Sequence, residues 1–290
     1  MNYLQRPKMR QLLPLAKSPI AKPKAKRGQN FTGIATAKHP RMNVSLYQAA
    51  SALNAMDRWQ ETIAENLASA SVPGFKKQDF SFAAVQTGLH PVPAIAGASR
   101  AMLMAGGQAS TNFQPGEFRI TNVKTDLAVD GKGFFEVRLP NGATAYTRDG
   151  EFHIDAQGQL VTKEGYAVQG DAGSITFDLN NYAEPSISAT GEVSQGIDLK
   201  GRIRLTEFGN PKLLTRLSGG YFAADNPNAN AAPSITSTVR QGALEAANTS
   251  VVMEMANLMT AMRTFEANQR MAQIHDDRIA RAINDLGNIS

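Results

Sequence analysis

Two stretches near opposite ends of this chain repeat apolar residues every three or four positions, and that pairing constrains the fold more than any other feature. The first runs Leu46, Ala49, Leu53, Met56, Gln60, Ile63, Leu67 and Ala70. The second runs Val251, Met255, Leu258, Met262, Phe265, Gln269, Ala272, Asp276, Ile279, Ile283 and Leu286. Alternating three- and four-residue steps place such side chains along one side of an α-helix, the pattern of a coiled-coil seam. The second helix would be on the order of 60 Å long at 1.5 Å per residue, so its seam needs a partner. The two segments can cover each other within one chain, or each can cover the same segments of neighbouring copies.

Between them the periodicity shortens to two. Phe135, Val137 and Leu139 alternate with polar residues, Asn141-Gly142 marks a hairpin turn, and Tyr146 resumes the alternation. Asp149-Gly150, Asp155 to Gly158, Glu164-Gly165 and Gly170 follow as closely spaced turn signals, which favour a compact antiparallel meander over a βαβ arrangement. The expected fold class is therefore α+β: terminal α-helices forming a coiled-coil-like segment around a mainly antiparallel β domain. Its expected divisions are a disordered basic leader (1–41), an N-terminal helix (42–72), an extended linker with one short strand at most (73–116), a β-rich domain (117–240) and a C-terminal helix (241–290). Ser71-Val72-Pro73-Gly74 ends the first helix, with Pro73 and Gly74 as the turn or hinge. The linker assignment rests on the absence of sustained periodicity and on His90-Pro91-Val92-Pro93 and Gly106-Gly107.

Charge divides the chain unevenly. Ten basic and no acidic residues precede Asp57, leaving 20 basic against 25 acidic residues in the remainder. A nucleic-acid role would rest on that leader alone, because the body is mildly acidic and carries no basic aromatic motif; no nucleic-acid partner is expected. Pro7, Pro14, Pro19, Pro23 and Pro40 deny the leader a stable helix, and Met42, which opens the patterned sequence, is a candidate for the true start. No apolar run is long enough to span a membrane, and no cleavable secretory signal is evident, so no membrane insertion is expected. Cysteine is absent, which excludes disulfides, thiolate metal sites and cysteine nucleophiles.

Glu65-Asn66-Leu67-Ala68-Ser69 followed by Pro73-Gly74-Phe75-Lys76-Lys77 resembles the N-terminal signature of the flagellar rod and hook family. Asp126-Leu127-Ala128-Val129 with Gly131-Lys132-Gly133-Phe134-Phe135-Glu136-Val137, and then Tyr146 to Phe152, are similar to its central segment. Arg240 to Asn248, Glu254-Met255 and Arg263 to Asn268 complete the match in the same order. The central blocks are most similar to distal-rod members, then to proximal-rod members. Departures stand at Glu65, Ser69, Val72, Ala247 and Phe265.

The resemblance implies a structural subunit of the bacterial flagellar basal-body rod, which crosses the periplasm. It implies helical polymerisation through both terminal helices, transmission of torque to hook and filament, and partnership with itself and other rod and hook subunits. It also implies passage through the flagellar type III export apparatus without signal cleavage, and needs no cofactor, metal or catalytic residue.

The expected assembly residues are Leu46, Leu53, Met56, Ile63 and Leu67 with Val251, Met255, Leu258, Met262 and Phe265. Asn66, Asn248 and Asn268 are expected to fix register through hydrogen bonds across subunits. Lys76 and Lys77 either face acidic neighbours or stay solvated. Two rival readings stand beside this one. A soluble, non-flagellar β-domain protein could use the same seams as an internal coiled pair. A peptidoglycan-acting enzyme would need two acids brought together from Asp126, Asp130, Glu136, Asp149, Glu151 and Asp155, or a metal site at His275-Asp276-Asp277.

Overall fold

The computed structural model describes residues 44–91 and 99–287; the expected leader, Met42 included, lies outside them. Helix α1 (Val44–Ala68) contains neither glycine nor proline. Its continuation closes with Ala70 N–H on Leu67 O and Val72 N–H on Ser69 O, just ahead of Pro73. Two long strands follow, β1 (Gln78–Pro91) and β2 (Ser99–Thr111), antiparallel from Gln78 opposite Thr111 to Pro91 opposite Ser99, with an irregularity between Gln86 and Gly88.

That hairpin stands where an extended linker is expected, and the glycines explain the difference. A Cβ on Gly107 would fall 2.0 Å from the Phe80 ring, and one on Gly106 would fall 2.8 Å from Val85 Cγ2. Gly106-Gly107 reads as a break, yet it sits mid-strand and makes room for the large side chains that lean over it from the facing strand. Phe80 and Phe82 meet edge to face, and Trp59 of α1 lies 5.4 Å from Phe82. Gln48 Nε2 donates to Leu103 O, a further tie between helix and hairpin.

The β domain begins with β3 (Phe118–Ile120), β4 (Leu127–Asp130), β5 (Phe134–Arg138), β6 (Thr144–Thr147), β7 (Phe152–Ile154), β8 (Leu160–Thr162), β9 (Ala167–Gly170) and β10 (Gly173–Ser174). It continues through β11 (Pro185–Ile187), β12 (Glu192–Gln195), β13 (Asp198–Arg202), β14 (Leu205–Phe208), β15 (Thr215–Arg216), β16 (Tyr221–Ala223), β17 (Ala231–Pro233), β18 (Thr238–Gln241) and β19 (Ala243–Glu245). The largest sheet orders β15-β16-β6-β5-β9-β8-β7, with β14 on β5, β17 on β14 and β10 on β9. All its ladders are antiparallel, as the turn spacing predicts. At the expected turns, Gly142 and Gly165 take positive φ, and Asp155 Oδ1 accepts the N–H groups of Gln157 and Gln159 between β7 and β8.

One buried cluster gathers Leu127, Phe135, Val137, Phe152, Leu160 and Val168, with Ile187 and Val193 from the small β11-β12-β13 sheet. A second, aromatic cluster joins Phe134, Phe208 and Phe222, with Phe113 packed on it. The helix expected from residue 241 begins later. β18 pairs with β4 and β19 with β3, so the chain enters α2 (Val251–Gly287) only after returning through the sheets.

Candidate assembly surface and its anchoring junction

The family-like blocks, far apart in sequence, meet at one buried point. Glu245 on β19 is 0% exposed, Lys76 1% and Arg148 4%. Lys76 Nζ donates to Glu245 Oε1 at 2.5 Å and to Gln114 O at 2.9 Å. Arg148 Nη1 donates to Glu245 Oε2 at 3.2 Å, and Nη2 donates to Gly131 O at 2.8 Å. Gly116 N–H adds a third donor to the carboxylate. The guanidinium lies 4.8 Å from the Phe134 ring centre, while its Nε has no hydrogen-bond partner among the described residues. Burial pulls the Lys76 pKa below that of an ordinary lysine, and the Glu245 charge opposes the shift. Two cations around one carboxylate leave a net positive charge in the interior, held by backbone carbonyls as well as by Glu245.

Gly74 fits into this junction with no spare room. It takes φ 66°, its N–H donates to Glu245 O at 2.7 Å, and a Cβ there would fall 2.2 Å from Arg148 C. Pro73-Gly74 is therefore a locked turn rather than a free hinge. Arg216 adds a second tie, with Nε 3.1 Å from Glu65 Oε1, Nη1 donating to Lys76 O, and its guanidinium over the Phe75 ring. Lys77 pairs with Asp79 at the surface.

Two of the expected register asparagines act within the chain. Asn66, 2% exposed, receives Gln78 N–H on Oδ1 and donates Nδ2 to Gln78 O, clamping the end of α1 to the start of β1. Asn248 accepts Lys77 N–H and donates to Asn112 O and Gln114 O. Both amides hydrogen-bond to backbone of their own chain. Asn268 is half-buried on α2.

The single seam expected on α2 divides in two. The stripe turned away from solvent is Glu254, Leu258, Ala261, Phe265 and Asn268, and α1 packs against α2. Small residues shut off from solvent, Ala55 on α1 and Ala261 on α2, allow close helix packing. On α1, Ile63 is buried and Leu53, Met56 and Leu67 are half-buried; the Leu46 side chain lies outside the described residues. Val251, Met255 and Met262 are exposed, as are Val252 and Met259. At 100° per residue these five lie roughly a sixth to nearly a half turn from the middle of the covered stripe, forming a continuous apolar band that begins beside it. A three-four repeat cannot distinguish the stripe that meets α1 from the one beside it.

Four of the six acids considered for catalysis have structural partners. Asp130 pairs with Arg240, Glu136 with Arg204, Asp155 caps a turn, and Asp149 accepts the Glu151 N–H. Sequence reading missed the roles of Arg148, Arg216 and Glu245. Glu245 carried one usable signal: an acid inside an apolar run, Ala243-Leu244-Glu245-Ala246-Ala247, calls for a buried counter-charge.

These features define an α+β protein whose terminal helices clamp together on a β domain, one of them keeping an uncovered apolar band. The profile of the flagella basal body rod protein family matches residues 46–76. That of the flagellar hook protein FlgE/F/G D1 domain matches 128–195, and that of the flagellar basal body rod FlgEFG protein C-terminal region matches 240–286. The chain is 32% identical over 262 residues to flagellar basal-body rod protein FlgG of Borreliella burgdorferi, covering 83% of this chain and 97% of the relative. It is 30% identical over 250 residues to flagellar basal-body rod protein FlgF of Caulobacter vibrioides, covering 86% and 100%, and 29% identical over 253 residues to FlgF of Escherichia coli K12, covering 83% and 97%. The chain belongs to the flagellar basal-body rod protein family.

Proposed function

We propose that this chain is a structural, non-catalytic subunit of the flagellar basal-body rod, which polymerises helically with copies of itself and with other rod and hook subunits and transmits torque to hook and filament. The observation that carries this reading is the Val251, Val252, Met255, Met259 and Met262 band, open to solvent on a helix whose opposite side is already packed. Identical chains joined through unlike surfaces generate an open filament when the rotation between them does not close. Methionine side chains suit such contacts, because they repack against slightly different neighbours at low cost.

The junction at Lys76, Arg148 and Glu245 supports the same reading. A subunit that passes torque from helices to β domain needs that connection stiff, and it is made of buried charge and backbone hydrogen bonds. Export through the flagellar type III apparatus, without signal cleavage, accompanies this proposal; among the described residues no helix is long and apolar enough to cross a membrane. An internal coiled pair alone would leave the outer band unexplained.

The test is incorporation. Full-length chain carrying Met255→Glu and Met262→Glu is expressed in place of the native chain, and basal bodies are purified. The native chain is expected in them and the double variant is expected to be lost from them. Native chain absent from intact basal bodies would end the rod assignment; a fully incorporated double variant would remove the helix band from the assembly mechanism.

A further inference from the structure

Every methionine of α2 stands open to solvent. Met255, Met259 and Met262 are 50%, 57% and 52% exposed, and Met253 and Met271 are open as well, whereas Met56 on α1 and Met104 on β2 are half-buried. Steps of four and three residues bring Met255, Met259 and Met262 together along one side of the helix, with about 5–6 Å between successive Cβ atoms. Met253 and Met271 fall on the other flank of the covered stripe. The stripe itself, Glu254, Leu258, Ala261, Phe265 and Asn268, contains no methionine. The chain has no cysteine, so no thiol of its own intercepts an oxidant before these thioethers.

An open thioether reacts with hydrogen peroxide. A sulphur lone pair attacks one peroxide oxygen, the S–O bond forms as the O–O bond breaks, and the hydrogen on the transferred oxygen passes to the departing hydroxide, which leaves as water. Sulphur gives up two electrons and the peroxide takes them. The sulfoxide is polar and chiral, and a methionine sulfoxide reductase drawing on two external thiols returns it to the thioether, with a disulfide and water as the other products. A buried sulfoxide without a hydrogen-bond donor carries a desolvation cost that a buried thioether does not. Oxidation thus makes an apolar surface polar, and makes it so reversibly.

Resting on the rod reading above, we propose that Met255, Met259 and Met262 form a reversible oxidation site: peroxide converts them to sulfoxides in the unassembled subunit, and the rod refuses the oxidised subunit until a thiol-dependent reductase restores it. These three supply most of the Val251–Met262 band, the surface that subunits bury against one another in that reading. The contact between α1 and α2 within the subunit uses the methionine-free stripe of α2. Oxidation therefore spares the fold and acts on the contact between copies.

Two measurements test the site and its consequence separately. Isolated full-length chain is treated with dilute hydrogen peroxide, and its peptides are weighed by mass spectrometry. Met255, Met259 and Met262 are expected to gain one oxygen each several-fold faster than Met56 and Met104, with the thermal midpoint unchanged, and methionine sulfoxide reductase with dithiothreitol is expected to remove it. Equal rates, or an oxidised chain that melts early, overturn the site whatever the chain assembles into. In the second measurement Met255, Met259 and Met262 are replaced together, either by glutamine, whose amide stands in for the sulfoxide, or by leucine, which stays apolar at similar volume. Each triple variant is expressed in place of the native chain and basal bodies are purified. The leucine variant is expected to enter them like the native chain and the glutamine variant to be depleted several-fold. A glutamine variant that enters normally overturns the proposal; so does loss of both variants, because the contact would then demand methionine itself rather than an apolar surface. Native chain absent from intact basal bodies overturns the rod reading on which the refusal depends, and the peroxide rates on isolated chain distinguish that failure from failure of the site.

Discussion

The junction around Glu245 and the outer side of α2 handle exposure in opposite ways. At the junction, charged groups that would ordinarily sit in water are buried and nearly all paired, and glycines, Gly74 and Gly116, occupy positions with no room for a side chain. On α2, apolar side chains that would ordinarily be buried stand in solvent. The first arrangement is complete within one chain, so changes there should appear as lost stability. The second is incomplete within one chain, so changes there should appear as lost assembly. The contrast separates what holds the subunit together from what joins it to others.

The severest way to break the closed side is Gly74→Ala. The new methyl group would need both a left-handed backbone and space already filled by the Arg148 carbonyl carbon. A loss on the order of 3–5 kcal/mol is expected, read as a large drop in thermal midpoint or as failure to fold. A variant that melts like the native chain would mean that the junction relaxes far more easily than its contacts imply.

Glu245→Ala comes next. It leaves Lys76 and Arg148 buried without their counter-charge, a loss of about 3–5 kcal/mol. Replacing all three charged residues together with apolar residues of similar volume should recover most of that loss, since desolvation of the ions disappears with them. If the triple variant is no more stable than Glu245→Ala, packing around the network matters more than its charge. Denaturant unfolding of both variants decides the point.

Much of this division was legible in the sequence, and its limits have physical causes. The β meander could be read because each strand alternates and each turn carries Asn-Gly, Asp-Gly or a similar signal. The β1-β2 hairpin was hidden because it uses glycine and alanine inside strands, where Phe80 and Val85 of the facing strand lean over Gly107 and Gly106 and where composition suggests a linker. Helix α2 was legible, but the direction its seam faces was not, since Leu258 and Phe265 turn inward while Met255 and Met262, on the same repeat, turn outward. The junction was least visible, because its charges come from positions 76, 148 and 245 and nothing local pairs them.

A smaller effect on the closed side depends on pH. Burial raises the Asp149 carboxyl from 3.8 to about 7; the Glu151 N–H hydrogen bond opposes this, while the charges of Glu151 and Glu164 add to it. The folded chain therefore holds this proton more tightly than the unfolded chain. Below the unfolded value both forms are protonated and no penalty exists. Stability from this group falls as pH rises from about 4 to about 7 and stays reduced above that. Asp149→Asn keeps the oxygen that accepts the Glu151 N–H, removes this slope, and should stabilise the chain at pH 8 by about 2–4 kcal/mol. Parallel melting curves for native and variant chains between pH 4 and 8 would leave Asp149 without the buried proton.

The smallest expected effect on stability gives the sharpest test of the comparison. Met255→Glu lies in an exposed position on α2, outside the covered stripe and the junction. The change in unfolding free energy should stay within about 0.5 kcal/mol, as for other surface substitutions. A carboxylate placed in the Val251–Met262 band would nevertheless have to be desolvated whenever another chain covered it, a cost of several kcal/mol for an unpaired charge. The isolated variant should therefore melt with the native chain and fail to enter the rod. If it melts early, that side of α2 is already covered within the folded subunit and the division between closed and open regions is misplaced. If it stays stable and assembles normally, the band faces water in the polymer too, and the contacts between subunits lie elsewhere.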